Sequence, residues 1–182
     1  MSDDRPWYRE PETFVAISAL IVSLSALAVG VYEASLQRAH DRAEVWPNLE
    51  VGTFTSGEGA KIFVHNTGLG PAVVEAIAVT VDDKPLGDWR GVLQVLLGDS
   101  SRAFGNTSLF DHGVRPGDNV ELLGLPTASL PTPFWEQIGR VKLRICYRSV
   151  FDERWVVDAR LGIASHRTPV SACPAQRAGD DF

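Results

Sequence analysis

FVAISALIVSLSALAVGVY, Phe14 to Tyr32, runs for nineteen residues without a charge, an amide side chain or a proline. As a helix rising about 1.5 Å per residue it would reach roughly 28 Å, close to the hydrocarbon thickness of a bilayer. Three readings compete: a buried core helix, a secretory signal that is removed, and a membrane anchor that is kept. A core helix of this length normally shows a polar face, and this stretch offers only three serines. Ala26-Leu27-Ala28 has the small-x-small form of a cleavage site. The leader MSDDRPWYREPET argues against cleavage. It sets Asp3, Asp4, Glu10 and Glu12 against Arg5 and Arg9, whereas a signal needs a positive start. The flanks suit an anchor, with Trp7 and Tyr8 before the run and Tyr32 closing it, rings that favour the headgroup layer. Pro11, Glu12 and Thr13 form a good helix start, with acid at the positive end of the dipole. EASLQRAHDRAEVW continues with helix formers to Trp46, and Pro47 stops the helix. The expected organisation is a leader over 1–13 and one helix over 14–46, membrane-spanning over 14–32 and juxtamembrane beyond.

Within the span Ala16, Ala19, Ser23, Ala26 and Gly30 recur at alternating spacings of 3 and 4. Such a stripe of small residues lets another membrane helix, or a second copy, approach closely. The positive-inside count is tied, with Arg5 and Arg9 before the span and Arg38 and Arg42 after it. A short acidic leader is easily translocated, which tips the expectation towards a C-terminal domain in the cytoplasm. The expected location is a cell's inner (plasma) membrane, with the bilayer as first partner. The net charge of −6 excludes nucleic acid as a main partner, because phosphate binding needs a basic face.

From Pro47 the pattern changes to period two. NLEVGTF and AKIFVHN read as two strands turning at Ser56-Gly57-Glu58-Gly59, and PAVVEAIAVTV as a longer one ended by Asp82-Asp83-Lys84-Pro85. DNVELLGL follows the turn VRPGD, and RVKLRICYRSV with RWVVDARL makes a last hairpin across Phe151-Asp152-Glu153. DWRGVLQVLL and PTPFWEQIG, the second opened by Thr132-Pro133, look helical. The fold expected for 47–162 is mainly β, an antiparallel immunoglobulin-like sandwich with one or two short helices, behind the long N-terminal helix. Residues 163–182 turn to Ser, Thr, Pro, Ala, Gly and Asp, and read as a disordered tail.

The apolar helix running into LQRAHDRAEVWPNLEV, then VHNTGLGPAVV, VRPGDNVEL and YRSVFDERW, resembles uncharacterised bacterial single-pass membrane proteins. The resemblance reaches to about Leu161, and it implies one span followed by an immunoglobulin-like β-sandwich, with no catalytic residues. Relatives of that kind commonly carry glycine where this chain has Asp152, which bears on the turn type alone.

Chemistry is sparse. NTGLGPA has two glycines after a strand but no third glycine, no Lys-Ser/Thr and no following helix, so a phosphate loop is not expected. Gly68 and Gly70 instead read as positive-φ residues of a tight inter-strand turn before Pro71, with the Asn66 side chain bonding the backbone. The histidines His40, His65, His112 and His166 lie in four different elements, and no cofactor or metal is expected. Cys146 lies between Arg144 and Arg148, cations that favour a thiolate. It reads as a candidate reactive thiol, as an ordinary cysteine on a covered face, or as a partner of Cys173 if the domain lies outside the cytoplasm. The expectation is a non-catalytic, membrane-anchored interaction protein whose helix and β domain bind protein partners, with the role of an accessory subunit of a membrane complex open to it. The alternative is a membrane-anchored sensor or small-ligand-binding domain.

Overall fold

The computed structural model describes residues 11–101, 103–127, 134–163 and 165–182. The leader residues 1–10, with Trp7, Tyr8 and the arginines before the span, lie outside the described residues, as do Thr132 and Pro133. The chain divides into a helical unit up to Ala43 and a second unit, Glu44–Phe182.

Helix α1 spans Pro11–Glu44 without interruption, with Glu12 in its first turn and Arg42 in its last, the charges that complement the helix dipole. It is long and apolar enough to cross a membrane, and none of its apolar window is buried against protein. The serines of its apolar stretch bond within the helix: Ser18, Ser23 and Ser25 donate to the carbonyls of Phe14, Ala19 and Ile21, each at 2.8 Å. That is what a hydrocarbon environment demands of a polar side chain.

The second unit is mainly β. Its strands are β1 (Leu49–Ser56), β2 (Gly59–Asn66), β3 (Ala72–Val81), β4 (Lys84–Leu86), β5 (Gly105–Asn106), β6 (Gly113–Val114), β7 (Asn119–Pro126), β8 (Val141–Arg148), β9 (Arg154–Arg160) and β10 (Ser165–Val170). Among the described residues two α-helices interrupt them, α2 (Trp89–Leu97) and the short α3 (Phe134–Gln137), which runs into a 3-10 turn. One antiparallel sheet has the order β1-β2-β7-β5, and the other β10-β9-β8-β3-β4 with β6 beside the start of β3. Inward residues of both sheets meet in one hydrophobic core, among them Ile62, Val64, Leu123, Ile77, Leu143 and Ile145. Period-two alternation places them there.

Local chemistry sets the turns. Asp82 and Asp83 both have positive φ (50° and 64°), the two-residue hairpin conformation that Asp tolerates through its short polar side chain. Asp152 also takes positive φ (66°), which explains how it stands in a turn that glycine would fill with less strain. Asp88 caps α2 by accepting from the Gly91 amide at 2.7 Å, and Gly98 ends the helix in the left-handed region. The apolar spacing of α2 buries Trp89, Val92, Leu93 and Leu96.

The expectation of a disordered tail over 163–182 is overturned. Residues 165–170 form β10, paired with β9 from Ser165 opposite Ala159 to Val170 opposite Arg154. Arg167 lies over the Trp46 ring at 3.9 Å and donates to Asn48 Oδ1 at 2.8 Å. Beyond β10 the Gln176 side chain accepts from the Ile77 amide at 2.8 Å, the Asp181 amide donates to Gly87 at 2.7 Å, and Phe182 is fully buried. The polar composition misleads because these contacts are side-chain and edge bonds to distant strands, which local composition does not report.

Candidate functional site

Asn66 organises one end of the β unit. It is fully buried, and its amide uses every donor and acceptor it has. Nδ2 donates to the carbonyls of Gly70 and Val114, each at 2.9 Å, while Oδ1 accepts from the amides of Gly68 (3.0 Å) and Asn48 (3.2 Å). The loop it shapes clasps residues 46–48: Thr67 donates to Asn48, and Leu69 and Gly70 donate to Trp46. Gly68 and Gly70 do not have positive φ, which corrects the sequence expectation. They are glycines because a Cβ would overlap the backbone of Trp46–Asn48 at position 68, and that of Val45 at position 70. Pro71 then leads into β3. Asn66→Ala is expected to cost about 2–3 kcal/mol, since buried amides and carbonyls lose their partner. Denaturant unfolding of the full chain followed by tryptophan fluorescence checks this, and a loss below about 0.5 kcal/mol would show that water replaces the amide.

The reactive-thiol reading of Cys146 is corrected. Cys146 is disulfide-bonded to Cys173, with 5.7 Å between their Cα atoms, and is 1% exposed. Alternation does place it on the outer face of its sheet, but the C-terminal segment covers that face. Ala76, Cys146 and Val156 form a second small apolar cluster there with Val170 and Cys173. The flanking cations are engaged elsewhere, Arg144 with Asp158 at 2.6 Å and Arg148 with Glu75 at 3.0 Å.

The stripe Ala16, Ala19, Ser23, Ala26 and Gly30 lies on one uninterrupted helix, and a Cβ added at Gly30 would meet open space. The Ser23 hydroxyl is turned back to Ala19, which leaves the line nearly free of polar demand.

A feature that sequence reading missed is on the outer face of the β1-β2-β7-β5 sheet. Gly52 and Phe54 of β1 and Lys61 and Phe63 of β2 alternate out of the core, in the register Gly52 opposite Phe63 and Phe54 opposite Lys61. The Phe63 ring bends across onto Gly52, where a Cβ would strike the ring. On the other side β7 carries one extra residue, Leu122, opposite the step from Ile62 to Phe63. This bulge lets Glu121 and Gly124, three residues apart, share the outer face. Glu121 folds over Gly124, where a Cβ would collide with its carboxylate, and pairs with Lys61 Nζ at 2.8 Å. Hydrogen bonding to Glu121 holds the Lys61 ammonium above the usual lysine range. Phe54, Lys61, Phe63, Asn119 and Glu121 line an open groove of about 460 Å³. Phe54 is 56% exposed within it. His65, further along the same face of β2, has a buried Nδ1 with no hydrogen-bond partner among the described residues. The two glycines and the bulge are the sequence signals, and each needs the strand register before it means anything.

The four histidines stay in separate elements: His40 in α1, His65 in β2, His112 before β6 and His166 in β10. Among the described residues no three His, Cys, Asp or Glu side chains gather as metal ligands. What the fold defines is a mainly β unit carrying an open aromatic groove, preceded in the chain by an apolar helix of membrane-spanning length. Comparison with protein-family models, with curated proteins and with solved structures finds no match.

Proposed function

We propose that this chain is a single-pass plasma-membrane protein whose β domain, of immunoglobulin-like type, is a non-catalytic binding module outside the reducing cytosol. The observation that carries the reading is the groove over Phe54 and Phe63. It has the size of a ligand cleft and sets two aromatic rings beside three polar side chains, Lys61, Asn119 and Glu121. It favours the ligand-binding alternative over a protein-docking role. The Cys146–Cys173 disulfide supports the outside placement, since such bonds persist in oxidising compartments, and the proposal therefore departs from the cytoplasmic orientation expected from the short acidic leader.

One labelling experiment tests both halves. Ser56 is exposed two residues beyond Phe54 on the same face of β1, so a Ser56→Cys variant at the end of the groove is expected to react with a membrane-impermeant maleimide on intact cells. The reaction is expected to be slower there than on extracted, washed protein, because the natural ligand shields the groove. Labelling only after lysis would put the domain inside, and equal rates before and after extraction would show an unoccupied groove.

A further inference from the structure

The groove over β1 and β2 has three properties that together restrict what it can hold, on the reading that it is a binding site. Its floor is aromatic and lies along β1. The Phe63 ring is laid over Gly52 and Phe54 stands two residues further on the same face, roughly 7 Å along the strand. Its polar wall is an ion pair: Lys61 and Glu121 offer a donor and an acceptor side by side and cancel each other's charge, with Asn119 adding an amide. The groove is also on the face of the sheet. A peptide added as an extra strand would instead use the free edge of β1, where no side chain of the groove is needed.

The geometry points to a neutral sugar as the ligand: a hexose or pentose ring of a glycan, stacked on Phe54 and Phe63 with its hydroxyls bonded to Lys61, Glu121 and Asn119. A sugar ring has an apolar C–H face that matches an aromatic surface and a rim of hydroxyls that both donate and accept. The Lys61–Glu121 pair can serve such hydroxyls in both senses without being broken. An anionic ligand attracted to Lys61 would meet Glu121 within the same contact. A purely apolar ligand would leave the ion pair and Asn119 without a function in the groove.

The test uses the full chain in lipid nanodiscs, so that no sugar-headed detergent competes. The protein is run on native gels cast with soluble glucan, mannan, galactan or xylan. The expected result is retardation by at least one of the four. Phe54→Ala should weaken it about ten-fold, the loss of one aromatic stacking contact, while Phe54→Trp should keep it. Phe54 is exposed at its ring, and thermal unfolding of Phe54→Ala alongside separates lost binding from lost fold. Retardation by none of the four glycans, or equal retardation of Phe54→Ala and the unaltered chain, overturns the sugar assignment. If Ser56→Cys is shielded on cells while no glycan retards the protein, the sugar falls and the binding reading stands. If there is neither shielding nor retardation, both fall.

Discussion

Phe182→Ala is expected to destabilise the β domain by about 3–5 kcal/mol, the range for emptying a buried aromatic site. Phe182 is fully buried beside Trp89, the rings edge to face with centroids 5.3 Å apart. Its backbone carbonyl accepts from the Leu109 amide at 2.8 Å and the Ser108 hydroxyl at 2.9 Å. The residue before it bridges to Asp88, the cap of α2, so the segment closes over that helix start. Against a typical domain stability of about 5–15 kcal/mol this is a large fraction. Denaturant unfolding followed by tryptophan fluorescence gives the number, with Trp89, in ring contact with Phe182, one of the five tryptophans that report. A cost below about 1 kcal/mol would mean that the aromatic side chain contributes little to the core.

The second large effect is expected at the disulfide. Cys146 and Cys173 are 27 residues apart, and closing a loop of that length in the unfolded chain corresponds to about 3–4 kcal/mol on the chain-entropy account. The Cys146→Ala, Cys173→Ala double variant should lose about that much, measured by the same unfolding experiment. The unaltered chain should lose a similar amount in reductant, and the double variant nothing further. The two effects are also expected to couple. Cys173 pins the segment that carries Gln176 onto the Ile77 amide and Phe182 into the core. Removing either tie leaves less for the other to hold, so the combined variant should lose at least about 1 kcal/mol less than the sum. Strict additivity would show that the disulfide and Phe182 act as independent anchors.

Several elements are readable from local sequence because their causes are local. The apolar run Phe14–Tyr32 specifies a long helix by composition, and its serines need only the turn beneath them for partners. The strands β1, β2, β3, β7, β8 and β9 follow from period two bounded by turn residues, and α2 from Asp88, its 3–4 apolar spacing and Gly98. That Asn66 bonds the backbone is likewise what an Asn before a glycine turn suggests.

Other features exist only once distant segments meet. The short strands β4, β5 and β6 have two or three residues each, too few for a period to show, and they form because β3 and β7 offer free edges. Gly68 and Gly70 are required by the backbone of residues 45–48, some twenty positions earlier, and not by their own torsions. Residues 165–182 have the composition of a tail, yet they are ordered by a strand pairing, a disulfide and one buried ring, none of which local composition can report. The groove depends on the same physics: Gly52 matters because Phe63 lies opposite it, and Glu121 reaches Lys61 because Leu122 is an extra residue in the register. Composition and periodicity therefore determined the long apolar helix and most of the strands. Long-range register alone decided the site, because contacts between strands are set by which residues face each other across the sheet and not by their neighbours in sequence.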